Sequence, residues 1–206
     1  YSLDAPGLIL ADSRDNPEAH MVAYSEKVGK PMEALKFQPD EDGIIPVLDD
    51  EWFEDDVVAR FRVFLRAAFG NESLEENLRF LEEAIGKKIR KYFVNDFYKA
   101  HLQTYKKRPI YWLFQSPKKS FQALVYLHRY DPDTINRLLN DYLRPYQDKL
   151  RNRQDHLDSM LASEATSNRD RNAATKEKEK NAQALTELAD WERDVIYPLA
   201  TQRLEI

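Results

Sequence analysis

Cysteine is absent from the 206 residues, which excludes disulfides, thiolate nucleophiles and cysteine-ligated zinc. Only five glycines occur, each standing alone, which argues against phosphate-cradling loops and against an all-β chain of tight turns. No apolar run approaches the ~20 residues of a spanning helix. The opening residues Tyr1–Gly7 lack the basic and apolar regions of a signal peptide. The four histidines, His20, His101, His128 and His156, form no HExxH or paired-ligand spacing, and GxSxG, P-loop and GxGxxG patterns are missing. No catalytic residue, bound cofactor or metal site can be assembled from such a sequence. A chain without cysteine suits a reducing compartment, so a cytoplasmic location without a membrane partner is expected. There is no initiator methionine and no polar C-terminal tail, and both ends read as cut from a longer chain.

What is present is charge, unevenly spread. The formal net charge is −5, with 33% charged residues. Residues 1–56 carry 15 acids against 4 bases, whereas residues 86–119 carry 10 bases against one acid, Asp96. An acidic chain therefore has one concentrated basic segment, and its local charge permits contact with a polyanion that its overall charge would discourage.

Residues 1–16 read as irregular and 17–31 as a short helix capped by Asn16, with Pro17 at its first position. Gly43–Leu48 is β-branched and short, and Pro46 favours an edge strand. From Glu54 to Phe69 the apolar residues Val57, Val58, Phe61, Phe64, Leu65 and Ala68 follow one helix face, with Glu54, Asp55 and Asp56 expected in the first turn. Ser73 and Glu76 form a capping-box pattern for a helix to about Ile85. A third helix is expected over Lys88–Tyr105, with Ile89, Phe93, Phe97, Leu102 and Tyr105 inward. Ile110–Phe114 and Phe121–Leu127 flank a polar turn and predict a β-hairpin, which needs further cover to be stable.

After Asp131, a helix start with Pro132 behind it, Leu143, Tyr146, Leu150, Leu157 and Met160 keep a 3-4 spacing that Arg153 alone breaks. Pro145 should kink that helix. A turn is expected over residues 163–173. A second helix then places Ala182, Leu185, Leu188, Trp191 and Val195 on one face. The fold expected is mainly α (α+β). It consists of an acidic N-terminal segment (1–53), helices with one β-hairpin (54–131) and a long antiparallel helical hairpin (132–206).

The basic segment interleaves lysine and arginine with aromatics. Basic side chains neutralise phosphates, and aromatics stack on bases or line a groove. Equally, the aromatics can be core and the charges its solvated face. The turn lysines Lys118 and Lys119 point most clearly to a ligand, since no core requires them; Lys106, Lys107 and Arg108 precede the aromatic strand that carries Tyr111 and Trp112. The acidic cluster from Asp40 to Asp56 lacks the alternation and glycine of a calcium loop and reads as a solvated face.

Five stretches also match a known pattern in order. They are Asp42-Gly-Ile-Ile-Pro-Val-Leu-Asp-Asp-Glu-Trp-Phe53, Leu74-Glu-Glu-Asn-Leu-Arg-Phe80, Ile89-Arg-Lys-Tyr-Phe-Val-Asn-Asp-Phe-Tyr98, Lys107-Arg-Pro-Ile-Tyr-Trp-Leu-Phe114 and Phe121-Gln-Ala-Leu-Val-Tyr-Leu-His-Arg-Tyr130. Together they resemble the C-terminal region of the PglX family, the adenine-specific DNA methyltransferases of BREX phage-defence systems. The resemblance implies a parent enzyme that moves a methyl group from S-adenosylmethionine to adenine in duplex DNA. The family's Asn-Pro-Pro-Tyr-type tetrapeptide and glycine-containing cofactor loop have no counterpart here, so no catalytic or cofactor-binding residue carries over. Two roles remain for such a region: positioning duplex DNA, or docking other proteins of the defence complex.

Overall fold

The computed structural model describes residues 40–105 and 108–202. The expected N-terminal helix, Lys106 and Lys107 lie outside the described residues. By compactness the chain divides into two units. The described part of the first holds residues 40–105, 108–114 and 122–130, and that of the second holds 115–121 and 131–202.

In the first unit a three-stranded sheet has the order β1-β3-β2, with β1 Ile44–Pro46, β2 Tyr111–Gln115 and β3 Gln122–Tyr126. The cover the hairpin needs comes from the Gly43–Leu48 stretch. β1 runs antiparallel to β3 with Ile44 opposite Val125, Ile45 opposite Leu124 and Pro46 opposite Ala123. Pro46 has no N–H to donate and sits at the edge, where none is needed. β3 is central, and every one of its residues is buried.

Helix α1 (Val57–Phe69) starts later than expected. Asp56 is its cap, accepting from Val58 N–H at 2.9 Å and Ala59 N–H at 2.8 Å, so Glu54 and Asp55 precede the helix instead of forming its first turn. Helix α2 (Leu74–Ile85) does not use the predicted capping box. Ser73 makes no side-chain cap, because its backbone (φ −93°, ψ 3°) is not in the extended conformation that swings the hydroxyl onto the N2 and N3 amides.

The third predicted helix is continuous but changes width: α3 (Ile89–Tyr92), a π turn at Phe93–Phe97, then α4 (Tyr98–Thr104). Its ring-bearing residues Phe93, Phe97, His101 and Tyr105 recur every four positions, with successive ring centroids 5.3, 5.9 and 4.7 Å apart. A strict four-residue repeat drifts around an α-helix of 3.6 residues per turn, and the wider π turn keeps these rings on one side. The helices and sheet share one core that includes Ile45, Val57, Leu65, Leu78, Phe93, Tyr111 and Leu124.

In the second unit, α5 (Thr134–Arg137) leads through a π turn at Leu138–Leu143 into α6 (Arg144–Ala162). Helix α7 (Asn168–Trp191) leads through another, Glu192–Ile196, into α8 (Tyr197–Thr201). Pro145 does not break the helix. Its missing N–H and its ring's conflict with residue 141 are absorbed by the π turn just before it, and Pro198 follows a π turn in the same way.

The connection between α6 and α7 spans only 163–167, shorter than expected, because Ser167 caps α7 by accepting from Asp170 N–H at 3.2 Å. Leu143, Tyr146, Leu150 and Leu157 are buried as their spacing predicts. On α7 and the π turn after it the predicted face is partly wrong: Ala182 and Val195 are exposed, and the buried residues include Ala174, Asn181, Ala184, Leu188 and Trp191. The observed set alternates steps of three and four, or sums of them, which holds one face. The run 182-185-188-191 steps only by three and drifts off it.

Candidate nucleic-acid interface

The hairpin turn is built on Ser116, which is fully buried. Its N–H donates to Phe121 O at 3.0 Å, its hydroxyl oxygen accepts from Phe121 N–H at 3.1 Å, and its carbonyl accepts from Lys119 N–H at 2.9 Å. The last bond closes a β-turn with Pro117 at the second position, where the ring's fixed φ fits. Lys119 then turns the chain back with φ +65°, and among the described residues it alone has a positive φ without being glycine. Phe121 anchors the turn below, its ring 5.8 Å from Tyr146 and 6.1 Å from Trp191.

A residue from far along the chain completes the turn. Glu187 of α7, 8% exposed, accepts hydrogen bonds from the Lys118 N–H and the Ser120 hydroxyl. Burial alone would raise its pKa. The hydrogen bonds from Ser120, Ser116 and the Lys118 N–H, with the Lys118 charge, outweigh that and hold it below the ordinary glutamate value. An ionised carboxylate is thus spent on the backbone and hydroxyl of the turn, and the side chains of Lys118 and Lys119 stay exposed.

Beside the turn lies an open groove of about 450 Å³, lined by Pro117, Lys118, Gln183, Thr186, Glu187, Asp190, Trp191, Asp194 and Val195. Its rim is acidic, and Asp190 and Asp194 both pair with Arg193, at 2.9 and 2.7 Å. Lys118 thus lines the groove, while Lys119 is exposed on the turn beside it.

The other predicted contacts lie in the first unit. Arg108 is exposed, with its N–H donating to Tyr105 O at 2.8 Å. Trp112 is 49% exposed, its ring edge-to-face with Tyr130 at 6.2 Å. Tyr111 is 1% exposed, packed on His101 and Tyr126 at 5.7 and 5.3 Å. As the inward neighbour of Trp112 on a strand, it belongs to the core and offers no ring face to a base.

Much of the remaining basic segment is committed to acids. Arg90 donates to Asp56 at 2.6 Å and to the carbonyls of Leu48 and Asp50. Lys87 pairs with Asp96 at 2.6 Å and Lys88 with Glu82 at 2.7 Å. The acidic cluster serves the backbone as well: Asp40 accepts from Gly43 N–H, Asp42 from Ile44 N–H and Asp50 from Glu51 N–H. Among the described residues, no group of three or more His, Asp or Glu is placed to hold a metal ion. No helix there is long and apolar enough to cross a membrane.

No family model matches the sequence. The chain is 42% identical over 185 residues to the adenine-specific methyltransferase BrxX of Escherichia coli O9:H4 (strain HS), a match covering 81% of this chain and 15% of that protein. It is 41% identical over 162 residues to the adenine-specific methyltransferase PglX of Lacticaseibacillus casei (strain Zhang), covering 72% of this chain and 12% of that protein. The chain thus spans only a small part of the length of either relative.

Proposed function

Because the chain is homologous over most of its length to part of the adenine-specific methyltransferases BrxX and PglX, we propose that it is a non-catalytic region of such an enzyme in a BREX phage-defence system. In this reading it helps to hold duplex DNA for methyl transfer to adenine. S-adenosylmethionine and the reacting base belong to the rest of the enzyme. A base modified inside a duplex must be flipped out, and the duplex around it must be held in register through its phosphates.

The observation that carries the reading is the state of Lys119. An exposed lysine is held at a left-handed backbone position where glycine would cost less, on a turn whose neighbouring residue is also lysine. Folding gives no reason for this choice, whereas contact with a polyanion does. Arg108 and Trp112 supply a further exposed cation and an exposed ring, and Lys106 and Lys107 belong to the same expectation. Tyr111 drops out of it.

Anisotropy of labelled duplex DNA, titrated with the full chain across a salt series, tests the reading. Replacing Lys118 and Lys119 by Ala should weaken binding alike on different sequences. It should also lower the slope of log K against log salt by about 2, near 0.9 for each phosphate no longer neutralised. Unchanged affinity and slope would remove the turn from DNA binding.

One observation favours docking to another protein. Val195, Tyr197 and Leu199, near the end of the second unit, are 41–51% exposed, more than a solvated helix requires. Charged substitutions there should release a protein partner from the parent enzyme in a pulldown while leaving DNA affinity intact, and retained partners would end that reading.

A further inference from the structure

Glu187 lies 69 and 67 residues from two of the groups it binds, Lys118 N–H and Ser120 Oγ. A carboxylate beside a phosphate-binding turn should by simple Coulomb reasoning weaken DNA binding. Its geometry argues the opposite. Both of its oxygens are taken up inside the protein, and it is 8% exposed, so little of its charge faces solvent.

Without it, the turn would keep the Ser116–Lys119 and Ser116–Phe121 bonds. It would lose the Ser116 side-chain bond to the carboxylate and the two that fix the residues flanking Lys119, whose left-handed backbone is the least favourable point of the loop. Two lysines on a loosened turn must be ordered again each time they meet phosphate, and ordering backbone costs about 1–2 kcal/mol per residue.

We propose that Glu187 is a positioning residue for DNA contact, an acid that raises affinity for a polyanion by clasping the turn that carries Lys118 and Lys119. The proposal rests on the DNA-holding reading given above. It adds a residue that no local feature of the basic segment reveals and a sign opposite to that of charge alone.

The test compares two variants of equal charge. Glu187→Gln keeps an oxygen to accept from Lys118 N–H and gains an amide to donate to the Ser120 oxygen. Glu187→Ala keeps neither. Duplex affinity is measured by anisotropy on the full chain, well below each variant's melting temperature and across a salt series. Glu187→Ala should bind about tenfold more weakly than Glu187→Gln, equivalent to one residue's ordering. Its salt slope should match that of Glu187→Gln, since the same phosphates are neutralised, and the recovery of affinity by the glutamine variant marks the loss as one of ordering.

Equal affinities in the two variants, at whatever level, overturn the proposal. Ser120→Ala supplies the same test without any change of charge, should Glu187→Ala fail to fold: a several-fold loss supports the clasp and wild-type affinity overturns it. The Lys118, Lys119 double alanine variant, run alongside, separates the two failures. If it binds like wild type, the DNA reading itself falls; if it binds weakly while the Glu187 pair is equal, only the positioning role does.

Discussion

The Arg153 guanidinium and the Glu177 carboxylate meet between α6 and α7 in two parallel hydrogen bonds, Nε to Oε1 at 2.6 Å and Nη2 to Oε2 at 3.0 Å. Each occupies a position where the 3-4 spacing of its helix calls for an apolar residue, so the polar break on α6 is matched by a polar break on α7. Both side chains are more than a third exposed, at 38% and 40%, which limits what the pair contributes. Arg153→Ala or Glu177→Ala alone should cost about 0.5–1 kcal/mol in urea unfolding. The double change Arg153→Leu with Glu177→Ala should be at least as stable as wild type, since it makes the seam apolar. A double variant less stable than either single one would mean that the pair holds the hairpin's register.

Asp56 joins the acidic and basic segments. Its side chain is 1% exposed, caps α1 through two amides and receives Arg90 at 2.6 Å. Asp56→Ala removes the cap and leaves the 17% exposed arginine side chain without its nearest carboxylate. A loss of about 3 kcal/mol is expected from the two effects together. Asp56→Asn keeps an oxygen for the cap and should lose about half as much. Equal losses in denaturant melts would show that the cap contributes nothing.

These pairs show where the sequence is readable. Local patterns locate β1, the hairpin and the existence of the long helices, because each is set by residues within a turn or two, but the starts of α1 and α7 are misplaced. The face of α7 is misread because the run chosen for it steps only by three, while the buried side is filled in part by Ala174, Asn181 and Ala184, which carry little hydropathy signal. The basic segment looks like a single surface in the sequence. In the structure Arg90, Lys87 and Lys88 are paired with acids, and Arg90's partners Leu48, Asp50 and Asp56 lie 34–42 residues earlier. Glu187 is the furthest from legibility. An acid on a charged helix carries no mark of the turn it binds, and its only trace is its position next to Leu188 on the buried side.

His101 sets a pH dependence. It is 6% exposed, and its Nε2 accepts from Ile110 N–H at 3.2 Å and Tyr111 N–H at 3.3 Å, which requires the neutral ring. Burial lowers its pKa from 6.5 to about 4. Below pH 6.5 the unfolded chain takes up a proton that the folded one refuses. Stability is therefore full above about 6.5 and is lost as pH falls through about 4, a loss of about 3 kcal/mol in all. Asp40 works against this. Burial raises its pKa to about 7, helped by its hydrogen bond with Asp42 and opposed by Arg60, so the folded chain gains a proton over much of the same range. The His101 contribution is isolated by His101→Gln, whose side-chain oxygen can accept but cannot titrate. The stability difference, wild type minus variant, should shrink from pH 7 to pH 4.5. A constant difference would place the proton on another group.

Lys119 separates stability from binding. Both Lys119→Ala and Lys119→Gly remove the charge, but only glycine relieves the φ of +65°. Against the entropy that glycine adds to the unfolded chain, relief of a left-handed side chain should leave Lys119→Gly more stable than Lys119→Ala by about 1 kcal/mol. Duplex DNA affinity at low salt should fall in both by similar factors. That combination, a turn that folds better without its lysine and binds worse, is the signature of a residue kept for contact and not for architecture. Two results would break it. Glycine no better than alanine in thermal melts would mean the backbone there is unstrained, and undiminished DNA binding in both variants would mean that Lys119 meets no phosphate.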